Sequence, residues 1–591
     1  MSHFITPIRK RIALLILGAT IATAALYAAL QTLTPAPVAL SSFVPQGSLL
    51  AIESPDFAAL LKSWSASSEQ RTWLTSDNYA AFSRSRLFGR LSEAQDQFAT
   101  SAGLPPDTQF LQQVAGKQSI FAWYDIGKLQ FLSITRMSPG AAEQTPLFQL
   151  HGKFQLRKSG DDSFYLRTQG DPERTVAFAV HGDYLLLATR EDLLADALLL
   201  MQHPDDASLH NESWYASVMA ANATHSSEQP ALRMAINLTR TVATPYFRSY
   251  WIQQNITELK QYSASLSDLY LDKQEFREER VLLPNAAEAA VPTADLAPIL
   301  QYLPLNAGVY RVTAHPTTDQ ILDALNEKLL ARTASSFHDQ HLAPAVDLSV
   351  QNAGSATDFE TRIDTPPLPE QPLTAALAPM RSLLDAAPLD ALFIYSSTTT
   401  NQHVTDSLFL PIHTAVILSA STPFAPSAIQ SALTQALSAR LTVSTASLNW
   451  TTHQEGSAAY FELAGLETLT FSVQGKFCIL ASDPETLLQI LGSPHQKDPQ
   501  PFIATTAAGF NHTAERPGLN RLSSLLDRTN ASPQSDDSAP AFFSRNLGSL
   551  SQTLQSLDSE SFTETVQSQS SNAQPNNAHI VNQKVIYKWQ P

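Results

Sequence analysis

The residues best placed to bind a metal are His338 and His341. Side chains three positions apart lie on one face of a helix, so both imidazoles would point the same way, with the Asp339 carboxylate beside them. A zinc site needs three or four protein ligands, and the sequence offers no evident third or fourth ligand here. A solvated, polar helix end before Leu342-Ala343-Pro344 explains the pair as well, so no metal ligand is assigned.

Other reactive side chains have structural explanations. Cys478, the one cysteine, lies in an apolar run; it is either a thiol nucleophile or, as we expect, a small buried hydrophobe. Glu53 and Glu191 each lie where a strand gives way to a helix. Either could be a general acid, but we expect first-turn carboxylates favoured by the helix dipole. Asp161-Asp162 and Asp205-Asp206 lack the spacing of a calcium loop and are expected in turns.

Aromatic residues and local motifs add no catalytic signal. Trp64, Trp73 and Trp123 could line a binding groove, but their helix and strand spacing favours the core. The chain has no G-x-S-x-G, S-x-x-K, H-E-x-x-H, Walker or G-x-G-x-x-G motif. We therefore assign no catalytic, cofactor-binding or metal-binding residue and no cofactor, and we lean against an enzyme.

The elements that position these residues begin with an apolar segment. Arg9, Lys10 and Arg11 precede Ile12–Leu30, nineteen uncharged residues that as a helix would span roughly 28 Å, close to the hydrocarbon core of a bilayer. The basic residues favour a cytoplasmic N-terminus. We expect a single-pass protein of the bacterial inner membrane with its C-terminal domains in the periplasm. The length of the apolar run, with its one A-x-A match (22–24) inside it, favours an uncleaved anchor over a cleaved signal peptide or a buried soluble helix.

Composition limits the size of domains and the kinds of partner. A chain of 591 residues is too long for one core, and 43% hydrophobic residues can fill more than one. The net charge is −16 and no basic run follows the anchor, so nucleic acid is not expected as a partner. We expect contact with the membrane through the N-terminal helix alone, and otherwise an unknown envelope protein or ligand as partner.

Three landmarks that recur in the same order predict a tandem duplication. The first is an apolar strand followed by a helix with one apolar stripe, at 49–64 and again at 309–329. The second is a β-hairpin with an x-Gly turn, at Val176–Thr189 and Leu469–Ser482, each followed by a helix with capping-box spacing from Thr189 or Ser482. The third, at Leu259–Leu283 and Leu547–Trp589, is interpreted as a helix followed by a strand.

These landmarks predict an α+β fold: a transmembrane helix followed by two tandem, homologous α+β units with antiparallel sheets. Strands at Ser119–Tyr124 and Leu129–Thr135 flank a tight turn, which requires antiparallel pairing. Each unit is expected to have its own sheet. If both hairpins lay in one continuous sheet, the duplication would be wrong and the two-lobed binding module would lose its main support. The predicted boundaries are 1–11 cytoplasmic, 12–33 anchor, 34–40 linker, 41–290 first unit, 291–301 linker and 302–591 second unit, with loose segments near 530–541 and 567–579.

The N-terminal anchor, the run "VPQGSLLAIESPDFAALLKSW" and the hairpin "AFAVHGDYLLLATREDLLADAL" resemble bacterial envelope proteins of the domain of unknown function 3352 family. The resemblance covers the first unit best and the second more loosely. It implies a membrane-anchored, extracytoplasmic protein, and it supplies no functional residues.

Three functions follow from these expectations. The first is a non-enzymatic envelope protein, a binding or assembly module whose two lobes form a cleft or a partner surface. The second is an extracytoplasmic hydrolase with a non-local site, which would need a pocket with convergent carboxylates or histidines of shifted pKa. The third is a carrier of a hydrophobic ligand, which would need an apolar cavity between helix and sheet.

Overall fold

The protein was studied as a computed structural model. It describes residues 38–170, 173–203, 207–222, 228–244, 259–272, 274–285, 292–304, 307–330, 377–398, 412–441, 448–455, 458–463, 468–493, 499–530, 555–568 and 579–590. The predicted anchor, His338, His341 and Asp205-Asp206 lie outside these ranges, as do 531–541 and 569–578 of the predicted loose segments. Within the described ranges, no helix is both long enough and apolar enough to cross a bilayer.

The first unit contains ten strands. Their bounds are β1 Leu50–Ser54, β2 Ser119–Asp125, β3 Gln130–Arg136, β4 Gln155–Ser159, β5 Asp162–Gln169, β6 Arg174–His181, β7 Tyr184–Ala188, β8 Leu232–Asn237, β9 Tyr262–Leu271 and β10 Glu275–Pro284.

The second unit has ten corresponding strands and a short two-stranded ribbon of β11 and β19. Their bounds are β11 Ala294–Asp295, β12 Val309–Ala314, β13 Leu389–Ser397, β14 His413–Ala420, β15 Trp450–Glu455, β16 Ala458–Leu463, β17 Leu469–Gln474, β18 Phe477–Ala481, β19 Ile503–Ala504, β20 Thr506–Asn511, β21 Leu557–Ser568 and β22 His579–Trp589.

The described helices lie between these strands. Their bounds are α1 Phe57–Ala66, α2 Ser68–Leu74, α3 Asp77–Phe82, α4 Arg86–Ala102, α5 Thr108–Val114, α6 Pro146–Gln149, α7 Glu191–Gln202, α8 Ser213–Asn222, α9 Leu238–Ala243, α10 Ala297–Leu300, α11 Thr318–Leu325, α12 Ala378–Asp385, α13 Pro426–Leu441, α14 Pro484–Leu491 and α15 His512–Asn530.

The described strands, other than β11 and β19, form one continuous 20-stranded sheet in which neighbours are antiparallel. The mixed fold with antiparallel sheet is as predicted, but the expectation of a separate sheet for each unit is wrong. The first unit has the order β4-β5-β6-β7-β3-β2-β1-β8-β9-β10. The second has β15-β16-β17-β18-β14-β13-β12-β20-β21-β22, the same order strand for strand.

The two units join through one edge strand of each, because β10 pairs with β22. Gly182 and Gly475 occupy the same place in the two predicted hairpins, both of which are confirmed, and their positive φ of 55° and 61° fits the tight turns. Counting from these glycines through the strand registers makes Glu279 equivalent to Lys584. These two residues face each other at the seam, so the junction has approximate two-fold symmetry.

The helix predicted in the third landmark is wrong in both units, and in the described part of the second unit strand β21 takes its place. The segment from Leu259, interpreted as a helix, is mostly strand β9, which pairs with β8 and β10. Its inward residues alternate (Ala264, Leu266, Asp268 and Tyr270), and that period of two is the strand signal. The alternation was obscured because one inward position is an aspartate.

Helices cover both faces of the sheet. On one face of the first unit, Leu194 and Leu198 of α7 pack on Ile134 and Leu186. On the same face of the second unit, Leu487 and Ile490 of α14 take that role. On the opposite face the units differ. Apolar side chains of α11, α12 and α13 fill the second unit, including the predicted stripe of Ile321, Leu322 and Leu325.

Candidate functional site

The opposite face of the first unit holds a cavity of about 890 Å³ between the sheet and helices α1, α4 and α5. Cavities of roughly 300–1,000 Å³ are the usual size for small-molecule sites. Its lining comes mainly from β1, β2, β3, β6 and the three helices. Because successive strand residues point to opposite faces, every second residue of β2 and β3 faces it.

Aromatic rings form the floor of the cavity. Phe121 of β2 stacks on Phe131 of β3 with ring centroids 4.8 Å apart, and Trp123 lies 5.1 Å from Phe121. Phe98 of α4 lies 6.4 Å from Phe131 and joins the floor to the helices. Trp123, expected in the core, therefore lines the cavity. Such rings supply a large, rigid apolar surface.

The helical roof leaves part of the cavity open. Helix α1 is where the sequence predicts it and has Asp56 as its N-cap, but none of its residues is buried. Trp64, expected in the core, is 50% exposed. Leu91 of α4 and Leu111 of α5 line the cavity and are themselves 45% and 38% exposed. A ligand can therefore reach the cavity between these helices.

Small hydroxyl side chains make room in the first unit where the second unit is filled. Ser133 faces Phe121 and Leu187, and the equivalent Val416 faces Ile394 and Leu480.

In the next row of the sheet, Ser119 and Thr135 are equivalent to Leu392 and Leu418. Val416, Leu392 and Leu418 are fully buried against α11, α12 and α13. The smaller side chains of the first unit therefore leave room at these three positions, and its aromatic floor takes the place of Ile394, Ser396 and Thr414.

Two of the hydroxyl groups that line the cavity form hydrogen bonds with each other and with the backbone. Ser119 Oγ lies 2.6 Å from Thr135 Oγ1, which also accepts a 2.8 Å hydrogen bond from the Gly116 N–H. These bonds satisfy polar atoms that would otherwise be costly to bury. The end of the cavity nearest Ser119 is thus weakly polar but uncharged.

The predicted capping boxes at Thr189 and Ser482 are not formed. Thr189 Oγ1 accepts a hydrogen bond from the Phe131 N–H, and Ser482 Oγ accepts one from the Thr414 N–H. Each hydroxyl therefore links the end of one strand to the neighbouring strand. The two hydrogen bonds lie at equivalent places in the two units. The N-cap positions are one residue later and differ: Asp483 caps α14, whereas Arg190 gives α7 no side-chain cap.

Asp483 also makes stability depend on pH. Burial would raise its pKa, but hydrogen bonds from His413, the Thr486 N–H and Ser482 outweigh burial and lower the pKa from 3.8 to about 2. A lowered pKa stabilises the fold above pH 3.8, and the stabilisation is lost as pH falls toward 2. The lowering of the pKa from 3.8 to about 2 corresponds to about 2.5 kcal/mol, of which about 2 kcal/mol is lost by pH 2.

We therefore expect the free energy of unfolding of the wild-type chain to fall by up to about 2 kcal/mol more than that of Asp483→Asn between pH 5 and 2. Urea titrations at several pH values measure the difference. Parallel pH profiles for the two proteins would show that Asp483 does not carry this effect.

Glu53 lies on β1 rather than in the first turn of a helix, contrary to expectation. It accepts a hydrogen bond from the hydroxyl of buried Tyr215, and burial raises its pKa. The cavity beside it, shared with Arg233, is only about 100 Å³, well below the size of a site for peptide or glycan. Glu53 thus has the electrostatics of a general acid without room for such a substrate. Glu191 is the first residue of α7, as expected.

The remaining candidate residues are structural. Cys478 is fully buried, and burial raises the pKa of its thiol to about 12, which fits the expected hydrophobic role. Asp162 begins β5 and contacts His181 Nδ1 at 2.9 Å. Trp73 packs against Tyr79 and Phe82. Among the described residues, no three His, Cys, Asp or Glu side chains are grouped to hold a metal.

The aromatic floor was missed in the sequence because strands far apart in the chain form it. A second missed signal is local. Asn237 and Asn511 each end a strand and cap the next helix, accepting from the Arg240 and Ala514 N–H groups. The flanking runs Ile236-Asn237-Leu238-Thr239 and Phe510-Asn511-His512-Thr513 are alike and would have supplied a further landmark.

Comparison with known proteins yields little. No protein-family model matches the chain, so the resemblance to the domain of unknown function 3352 family stays a prediction. No curated protein matches it in sequence. Crystal form I of TP0453 is similar at 11% identity over 42% of this chain and 81% of that chain, with a TM-score of 0.25. Crystal form III of TP0453 is similar at 12% identity over 46% of this chain and 90% of that chain, with a TM-score of 0.23. TM-scores of this size do not establish a shared fold.

Proposed function

We propose that this protein binds a hydrophobic ligand in the cavity of its first unit. The observation that carries the proposal is the roughly 890 Å³ space with an aromatic floor and a roof that remains partly open. Burial of apolar surface contributes about 25 cal/mol per Å², so an acyl chain in this space gains several kcal/mol. Of the three functions weighed from the sequence, the carrier agrees best with this geometry.

A binding role is also compatible with the broader expectation of a non-enzymatic envelope module. The hydrolase gains less support, since Glu53, a buried carboxyl group with a raised pKa, lies on the other face of the sheet beside a cavity of about 100 Å³. The cavity with room for a substrate is lined mainly by apolar side chains.

We further propose that the two units are homologous copies that have diverged. The same order of ten strands, the paired Asn caps and the paired hydroxyl contacts of Thr189 and Ser482 support this. One continuous sheet was expected to exclude duplication, but that expectation assumed that two copies cannot share a sheet, and here the seam lies between equivalent edge strands. In this proposal the first unit keeps the cavity and the second unit, filled by Leu392, Val416 and Leu418, supports it. An experimental structure with unlike strand orders would overturn the homology.

The test begins with the full chain in a bacterial host. With Ile12–Leu30 as an anchor, the protein is expected in the membrane fraction with both units outside the cytoplasm; recovery from the cytosol would overturn that placement. The protein is purified in an amphipathic polymer and extracted with organic solvent, and the extract is analysed by mass spectrometry. We expect a long-chain lipid in proportion to protein. A chain that carries no lipid and fails to bind the polyene cis-parinaric acid would contradict the proposed function.

A further inference from the structure

Charged side chains lie at one end of the cavity, beside the β2–β3 turn. They come from the turn itself (Lys128), from the start of β6 (Glu173 and Arg174) and from the start of α7 (Arg190, Glu191 and Asp192). The opposite end, near Ser54, Ser119 and Thr135, carries hydroxyls only. The cavity is therefore polarised along its length, as a site for an amphiphile requires.

These charged side chains form the rim of the cavity. The ion pairs among them do not neutralise every cationic side chain of the rim. Arg190 donates two hydrogen bonds to the Asp192 carboxylate, and Glu191 lies 4.0 Å from Arg157. Arg174 instead donates to neutral acceptors, the Gln97 side-chain oxygen at 2.6 Å and the Lys128 carbonyl at 2.5 Å. In the part of the chain that the structure describes, neither Arg174 nor the exposed Lys128 ammonium forms an ion pair.

The second unit offers a contrast at this rim. Its helix α14 begins at a carboxylate, Asp483, which accepts from the Thr486 N–H at 2.8 Å. The equivalent residue in the first unit is Arg190, which leaves α7 without a side-chain cap, a loss of typically about 1 kcal/mol. A cation thus replaces an anion at this end of the cavity.

From these contacts we infer that the ligand of the proposed function is an amphiphile with an anionic head group, held by Arg174 and Lys128, with its acyl chain over Phe121 and Phe131. The guanidinium is pre-positioned, because Gln97 and the Lys128 carbonyl fix two of its N–H groups. The remaining N–H groups can donate charge-assisted hydrogen bonds to a carboxylate or a phosphate. Glu173 is exposed beside Arg174 and disfavours a second negative charge there.

The inference rests on the proposed function, and the test separates the two. The full chain is titrated with three amphiphiles that share one acyl chain: palmitate, 1-palmitoyl lysophosphatidate and neutral 1-monopalmitoylglycerol. Tryptophan fluorescence reports binding, since Trp123 lies in the floor. We expect at least one anionic ligand to bind about tenfold or more tighter than the neutral ligand. Preference between palmitate and lysophosphatidate identifies the head group as carboxylate or phosphate.

Variants of Arg174 test whether this residue produces the preference for an anionic ligand over the neutral ligand. Arg174→Gln should lower the affinity for the anionic ligands to that of the same variant for 1-monopalmitoylglycerol, whereas Arg174→Lys, which keeps the charge, should retain the preference. Arg311→Gln, at an exposed arginine on β12 of the second unit, is the matched control and should behave as wild type. Equal binding of all three ligands, or a preference that survives in Arg174→Gln, would overturn the head-group inference alone. Failure of all three to bind would overturn the proposed function with it.

Discussion

Replacing Ser133 with phenylalanine should lower the affinity of the full chain for cis-parinaric acid by a factor of about fifteen or more. Ser133 lies in the floor of the cavity, where it faces Phe121 on one strand and Leu187 on the other. A phenyl ring there occupies space that the acyl chain needs. Displacing two methylenes from the cavity costs about 1.6 kcal/mol, which gives this factor.

The fold itself should survive this change. The second unit carries the larger Val416 at the equivalent position, fully buried in a packed core, so the sheet accepts an apolar side chain there. The emission of bound cis-parinaric acid measures affinity, and the unfolding midpoint in urea checks the fold. Ser163→Phe, at an exposed position of β5 away from the cavity, is the matched control and should bind normally. Unchanged affinity in a folded Ser133→Phe protein would place the ligand elsewhere.

The hairpins could be predicted because their signal is local. Short apolar runs on either side of Gly182 and Gly475 specify strand, turn and strand within fourteen residues. The seam between units could not be predicted, since pairing of β10 with β22 joins residues about 300 positions apart and no local pattern specifies it. A separate sheet was expected for each unit because each unit has apolar helix faces to cover. That expectation is wrong because two sheets can join through their edge strands.

The cavity could not be predicted from the sequence for a related reason. Ser119, Ser133 and Thr135 are unremarkable polar positions until the strand registers show which face they occupy. Only the comparison with Leu392, Val416 and Leu418 then shows that volume is missing. A cavity is a property of several distant side chains at once, whereas a motif is a property of neighbours.

The largest effect on stability is expected at Asp268 in the first unit. This residue is 1% exposed, and its carboxylate accepts hydrogen bonds of 2.7 Å from both Nε and Nη2 of Arg233. Asn222 donates a further hydrogen bond of 2.8 Å to the same carboxylate. The pair links β9 to β8, and Asn222 ties both strands to α8. The buried charge of Asp268 is therefore fully compensated by its partners.

Asp268→Ala should lower the free energy of unfolding by about 3–5 kcal/mol, because it leaves the mostly buried guanidinium of Arg233 without its partner. Pulse proteolysis across a urea series measures this in the full chain. Glu93→Ala breaks a largely exposed pair with Arg90 and, as the control, should change stability by less than about 1 kcal/mol.

A double variant separates two causes of the expected loss of stability. These are the lost hydrogen bonds of Asp268 and the unpaired charge of Arg233. In Arg233→Met with Asp268→Leu both charges are gone, and apolar side chains of similar size take their place. If the cost of Asp268→Ala is mainly the unpaired guanidinium, the double variant should recover most of the lost stability. A double variant as unstable as Asp268→Ala would show that the hydrogen bonds linking β8, β9 and α8, rather than charge compensation, hold this side of the first unit together.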